Sequence, residues 1–205
     1  MNQAAIVEGD NIDGNKRRFL LITTSALGGI ATAGAIWPFV ASMWPSERAK
    51  AAGAPIEVDI GKIEPGMMAT FEWRGKPVWV VNRTPEMLAR LAKVTPLLAD
   101  PESVRSTQPQ YARNPTRSIQ QHANFLVVVG VCTHLGCSPT YRREVGAADL
   151  GADWPGGFFC PCHGSKFDMA ARVFSGVPAP TNLEIPPYQY LTDTRLLIGE
   201  DSKGS

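Results

Sequence analysis

This chain of 205 residues predicts a mainly β fold, an antiparallel head carried on one N-terminal transmembrane helix. Three observations predict it. Short apolar or alternating runs, bounded by Gly, Pro and polar residues, recur between Ile56 and Ile198, the pattern of strands and turns. A stretch of 26 positions from Phe19 to Trp44 holds no charged residue. All four cysteines and two of the three histidines fall in two boxes, Cys132-Thr133-His134-Leu135-Gly136-Cys137 and Cys160-Pro161-Cys162-His163-Gly164-Ser165, each entered from a run that reads as a strand.

The uncharged stretch is a membrane anchor on length. Phe19 to Trp37 alone would span about 28 Å as a helix, close to a hydrocarbon core of about 30 Å. Pro38 then falls near the outer end, and Trp37 and Trp44 suit an interface position or a partner helix. A cleaved signal peptide has an apolar region of only about 7 to 15 residues, so an uncleaved anchor is the better reading. Just before it, Lys16-Arg17-Arg18-Phe19-Leu20 looks like a twin-arginine export signal built on Arg17 and Arg18, one position off the pattern. Such signals export folded proteins, which suits a cofactor loaded before translocation. Charge counting orients the helix less decisively, because Arg48 and Lys50 follow it closely. The expected organisation is a cytoplasmic N-terminus at 1–18, the anchor at 19–44, a flexible hinge linker at 45–55 and a head at 56–205. The linker is small and polar without apolar period.

Within the head, Ile56 to Ile60 alternates, Met67 to Trp73 follows, and Val78 to Val81 lies beyond an Arg74-Gly75-Lys76-Pro77 turn. These predict antiparallel strands. Met87, Leu88, Leu91 and Val94 stand at helical spacing behind Thr84, a possible N-cap, so a short helix is expected over 85–94. Residues 95–121 are polar and Pro-containing; they read as long loops with no assignable chemistry. Phe125 to Val131 delivers Cys132, and Gly157 to Phe159 delivers Cys160. Pro187 to Leu191 and Arg195 to Ile198 are expected to close the sheet, with a frayed end at 200–205.

Two Cys and two His are a mixed ligand set, which structural zinc could also use. The additional cysteine in each box has no role in a zinc site. Attachment of c-type haem needs Cys-x-x-Cys-His, and Cys160-Pro161-Cys162-His163 is one residue short. The Gly, Pro and small polar residues between the ligand types suit backbone N–H groups aimed at cluster sulfides. The boxes resemble, residue for residue, those of the Rieske iron-sulfur proteins of cytochrome bc and bf complexes. The likeness continues through Lys166-Phe167-Asp168 and Val177 to Leu183, and upstream to the anchor, with least support between about 85 and 121.

The resemblance implies a Rieske-type β head whose cluster-binding part covers about 131–182 and holds one 2Fe-2S cluster. It implies Cys132 and Cys160 on the inner iron, His134 and His163 on the outer iron, and a disulfide between Cys137 and Cys162. Ser165 would donate to a cluster sulfur, and Pro178, Ala179 and Pro180 would form the proline loop over the cluster. Leu135, Gly136, Pro161 and Gly164 would surround it, Leu135 and Pro161 either shielding it at a docking tip or simply packing the loops. His163 would take the hydrogen bond from ubiquinol, with His134 as the second exposed imidazole. The implied partners are cytochrome b and a c-type cytochrome in a dimeric complex, with the hinge letting the head swing between them. A disulfide persists in an oxidising compartment, which places the head in the periplasm of a bacterium, on a single-pass anchor in the inner membrane.

Imidazole in place of thiolate leaves a cluster less negative and raises its potential, to between about −150 and +300 mV. Many high-potential relatives carry Tyr at Phe167, whose hydroxyl donates to a cysteine ligand; Phe cannot, so a lower potential is expected. Many carry Gly at Ala171, so that turn either differs or is mildly strained. A Rieske oxygenase needs a second iron on two His and a carboxylate, and only His122, expected on the surface, is left over. Net charge +1 gives no sign of a nucleic-acid partner. Two other readings stay open on sequence: a Rieske subunit of another periplasmic oxidoreductase, such as an arsenite-oxidase-like enzyme, and a zinc-stabilised, membrane-anchored binding module.

Overall fold

The computed structural model describes residues 13–201; the expectations for residues 1–12 and 202–205 lie outside the described residues. The chain divides after Lys50 into two units. In the first, helix α1 (Gly14–Ser42) opens at Asp13, whose carboxylate accepts the N–H groups of Asn15 at 3.0 Å and Lys16 at 3.5 Å, satisfying donors that a helix start leaves free. Its 29 residues are long and apolar enough to cross a membrane. The helix continues about a turn beyond Pro38, which withholds an N–H from the Gly34 carbonyl but does not end it. Trp37 and Trp44 meet edge to face at 5.8 Å.

Part of the expected linker is ordered as a short helix, α2 (Glu47–Ala52). Local chemistry accounts for it. The Ser46 hydroxyl accepts the Ala49 N–H at 3.2 Å, Glu47 pairs with Lys50 at 2.7 Å, and alanines favour the helix.

The head carries nine strands among the described residues: β1 (Ile56–Asp59), β2 (Met68–Trp73), β3 (Lys76–Asn82), β4 (Phe125–Val129), β5 (Thr140–Arg142), β6 (Gly157–Phe159), β7 (Lys166–Phe167), β8 (Tyr188–Thr192) and β9 (Arg195–Ile198). They form three separate three-stranded antiparallel sheets, ordered β1-β9-β8, β2-β3-β4 and β5-β6-β7. The expectation that the last two strands close a single sheet with the earlier ones is corrected here: they belong to a separate sheet with β1. β8 and β9 do pair with each other, Tyr190 opposite Leu196, and β9 pairs on its other side with β1, Val58 opposite Leu196 and Ile56 opposite Ile198, because burial of Val58, Leu196 and Ile198 on one face favours that register. β5 and β7 had no signal in the sequence; at three and two residues they are too short to show a period.

β3 is the buried spine. Val78 to Val81 are all inside, paired to β2 across the Arg74-Gly75 turn and to β4 with Val80 opposite Val127. Both turn residues have positive φ, 52° and 70°, the primed turn that matches strand twist. Helix α3 (Pro85–Val94) begins at Thr84, whose hydroxyl accepts the Met87 N–H, and turns Met87, Leu91 and Val94 inward.

One aromatic stack joins the sheet of β3 to the sheet that bears the second box. Trp79 of β3 lies on Phe158 of β6 at 5.3 Å, 14° from parallel. Gly130, between β4 and the first box, makes room for the indole, since a Cβ there would clash with the Trp79 ring. Gly130→Ala should therefore force the stack apart and cost about 2 to 3 kcal/mol, read as a lowered thermal midpoint of the full-length protein in detergent.

Candidate metal centre

The two boxes fold into the same backbone loop twice. In the first, the Cys132 N–H donates to the Cys137 carbonyl at 2.7 Å and the Gly136 N–H to the Cys132 carbonyl at 3.0 Å. In the second, the Cys160 N–H donates to the Ser165 carbonyl at 2.8 Å and the Gly164 N–H to the Cys160 carbonyl at 2.9 Å. The fifth residue of each loop must be left-handed to close it, with φ of 80° at Gly136 and 78° at Gly164, a conformation glycine adopts without a Cβ penalty.

This repeat sorts the side chains. The leading cysteines, Cys132 and Cys160, are free thiols only 2% exposed. His134 and His163 stand with ring centroids 4.7 Å apart and planes perpendicular; His163 is exposed, whereas His134, expected to be exposed, is half-buried against it. Cys137 and Cys162 are joined in a disulfide across 25 residues, a closure worth about 3 to 4 kcal/mol in the chain-entropy picture. The sulfurs of Cys137, Cys160 and Cys162 lie within 4.8 Å of one another. Two of those three are bonded together, so only Cys160 of that group offers a thiolate. Leu135 is 70% exposed, and Pro161 of the second box is exposed as well.

A cover lies over the loops. The buried Ser165 hydroxyl accepts the Ala179 N–H at 3.1 Å, leaving its own proton for the neighbouring Cys132 sulfur. Thr133 donates to the Thr181 carbonyl at 2.7 Å. Pro178 and Pro180 face outward on either side of the buried Ala179. Burial pushes the Cys132 thiol up, a backbone N–H at His134 pulls against it, and the adjoining Cys160 adds to the rise; a metal has to displace that proton before the sulfur can bind. Phe167 is fully buried, opposite Phe158 in the strand pair and bridged to Val173. Arg17 and Arg18 lie exposed on the first turns of α1, in the other unit.

Sequence reasoning missed three buried arginines. Arg83, which follows β3, donates to the carbonyls of Thr116, Met169 and Ala123 and to the Ser118 hydroxyl. Arg117 donates to Gln108 and to the carbonyls of Ala170, Ala171 and Leu183. Arg172 pairs with Asp168 at 2.8 Å, both 1% exposed, and reaches the Leu91 carbonyl at the end of α3. Burial lowers Arg83 and Arg117 to about 10, so both stay charged at neutral pH. The Asp168-to-Arg172 spacing within an apolar run was a signal available in the sequence. The partners of Arg83 and Arg117 are mostly main-chain carbonyls, which leave no mark in side-chain pattern.

The comparisons with known proteins bear on this geometry. Residues 101–188 match the Rieske 2Fe-2S domain, and residues 8–46 match the "Ubiquitinol-cytochrome C reductase Fe-S subunit TAT signal" family. The chain is 61% identical to the ubiquinol-cytochrome c reductase iron-sulfur subunit of Allochromatium vinosum, over 91% of this chain and 89% of that one. The chain belongs to the ubiquinol-cytochrome c reductase iron-sulfur subunit family. The subunit of the same name from Bradyrhizobium diazoefficiens is 41% identical over 90% of this chain and 94% of its own. Among solved structures, a chain of "Hyperthermophilic respiratory Complex III" is similar at 29% identity and a TM-score of 0.45, covering 85% of this chain and 97% of that one.

As a member of this family the chain carries a Rieske-type 2Fe-2S cluster. The donor set present suits one, with two buried thiols and two less buried imidazoles, His163 exposed and His134 half-buried, the asymmetry of a centre in which His replaces Cys on one iron. The one membrane-length apolar helix among the described residues and the matching signal family fit a single-pass, membrane-anchored subunit.

Removing Asp168 should be severe, because it leaves the Arg172 guanidinium buried and unpaired in the turn behind the second box. Asp168→Ala is expected to lose about 3 to 5 kcal/mol, measured by thermal unfolding of the full-length protein.

Proposed function

We propose that this chain is the subunit that takes one electron and one proton from ubiquinol at a cytochrome b site and passes the electron to a c-type cytochrome. Cys132 and Cys160 hold the inner iron, and His134 and His163 the outer one. The observation that carries this reading is the sorting of donors, thiols 2% exposed behind two mutually perpendicular imidazoles at the tip. When bound, the cluster supplies a one-electron couple. The chain supplies the rest. The His163 ring is exposed, and an imidazole nitrogen left free when the cluster is bound would accept the hydrogen bond and then the proton of the quinol hydroxyl. His134 stands beside it as the second imidazole, and exposed Leu135 offers an apolar contact for the docking face on cytochrome b.

The same reading places the head in the periplasm, the N-terminus in the cytoplasm and the single anchor in the bacterial inner membrane, within a dimeric complex. The disulfide supports an oxidising compartment, and the match to a twin-arginine signal family over 8–46 supports export of a folded head. Residues 45–55, α2 included, serve as the hinge, and about 131–182 as the cluster-binding part.

The full-length protein, purified in detergent and reduced, is expected to give a rhombic EPR signal with average g below that of all-cysteine clusters, and to co-purify with cytochrome b. A colourless protein holding zinc would sink the ligand assignment; a Rieske signal associated with a molybdenum subunit would sink the partner. Phe167→Tyr is expected to raise the midpoint potential in a redox titration, by adding a donor beside the cysteine ligands. No rise would remove the role given to that position.

A further inference from the structure

We propose that residues 99–118 are a clasp holding the proline loop in place over the boxes, with Asn182 and Arg117 as positioning residues for the cluster site. The inference rests on the ligand set proposed above. The clasp has two grips. In one, the Asn182 amide donates to the Asp100 carbonyl and to the Ser103 hydroxyl, both at 2.9 Å. Its oxygen accepts the Val173 N–H at 2.8 Å, and its own N–H donates to the Ser106 hydroxyl at 3.0 Å. Asp100 braces the grip from behind, its carboxylate accepting the Val104 and Arg105 N–H groups and the Ser106 hydroxyl. In the other, Arg117 spans Leu183 at 2.8 Å and Ala171 at 3.1 Å with one guanidinium, while Gln108 holds its Nε at 2.9 Å.

These grips meet the cover of the site at its root. Thr181, whose carbonyl takes the Thr133 hydroxyl of the first box, immediately precedes Asn182. Ala179, whose N–H feeds the Ser165 hydroxyl of the second box, lies three residues before it. The backbone gives an independent sign. Of the four non-glycine residues with positive φ among the described residues, three are Ser103, Arg117 and Ala171, at 54°, 50° and 59°. Such conformations persist where the surroundings over-determine them, and they gather at functional sites.

A donor to a cluster sulfur is one of the levers on potential. The Ala179 N–H polarises the Ser165 hydroxyl toward sulfur, because a hydroxyl that accepts a hydrogen bond donates a stronger one. Loosening the clasp lets Ala179 drift, weakens that donor and stabilises the added electron less, so the potential falls.

The test uses the full-length protein in detergent with its cluster. Asn182→Ala is the direct variant, and Ser106→Ala and Gln108→Ala each weaken one grip from a less central position. All three are compared by redox titration and by amide hydrogen exchange. The expected result in the loaded Ser106→Ala and Gln108→Ala proteins is a downward shift in midpoint potential, with faster exchange at Ala179 than in the parent and unchanged exchange in β4. Ser106→Thr, which keeps the hydroxyl, should restore parental values. Should Asn182→Ala fail to load, the two milder variants decide. Parental potential and parental Ala179 exchange in both would overturn the clasp, as would a loss of protection spread evenly over the head. Failure of the ligand reading looks different, because the parent itself would then lack the histidine-ligated EPR signal.

Discussion

The rest of the head depends on one constraint: two short loops, 25 residues apart at their bonded cysteines, must present their donors to one point at an exposed tip. A surface tip has little apolar contact to hold it. The chain meets the constraint by using one loop geometry twice, each closed by the same pair of backbone hydrogen bonds and a left-handed glycine. A covalent bond between the loops then removes their freedom to separate. The geometry buries the leading thiols and leaves His163 exposed and His134 half-buried beside it. That polarity, sulfur in and nitrogen out, lets a protein-borne electron carrier also receive a proton from a hydroxyl at its surface.

Behind the tip, charge is spent on rigidity. Among the described residues three guanidiniums lie inside the head, and of these only Arg172 has a carboxylate in direct contact. The other two are held by arrays of carbonyls, which a planar fork of donors can satisfy in several directions at once and an ammonium cannot. Arg83 ties the exit of β3 to the segment after 115 and to Met169, and Arg117 ties the root of the proline loop to the turn at 170–171. Burial opposes both charges, and the terminal nitrogens of both guanidiniums find acceptors, with Arg83 Nε left as a buried donor without one. The aromatic stack of Trp79 on Phe158 makes the corresponding apolar join between the sheets.

Much of this was legible in the chain alone. The boxes, by residue type and spacing, led to the cluster family, and the uncharged run led to the anchor helix. Thr84 with Pro85 and the spacing of Met87, Leu91 and Val94 marked α3 to the residue, since caps and amphipathic period are local properties. β6 and β9 were bounded correctly for a related reason, being short apolar runs between turn residues. The strained turn at Ala171 was raised as one of two options, and its φ of 59° is the strained one.

What the sequence by itself determined is therefore whatever a few neighbouring residues can encode: the two Cys/His boxes, helix caps, strand runs and a membrane-length helix. Tertiary structure decided the division into three sheets, the pairing of β1 with β9 and the purpose of residues 95–121. Those loops looked empty of chemistry because their role is to meet Asn182, Leu183 and the 168–172 turn some 50 to 80 positions away. Most of these contacts run through main-chain carbonyls, and every residue type carries the same carbonyl. Side-chain pattern cannot announce such a partner; only the fold brings it within reach.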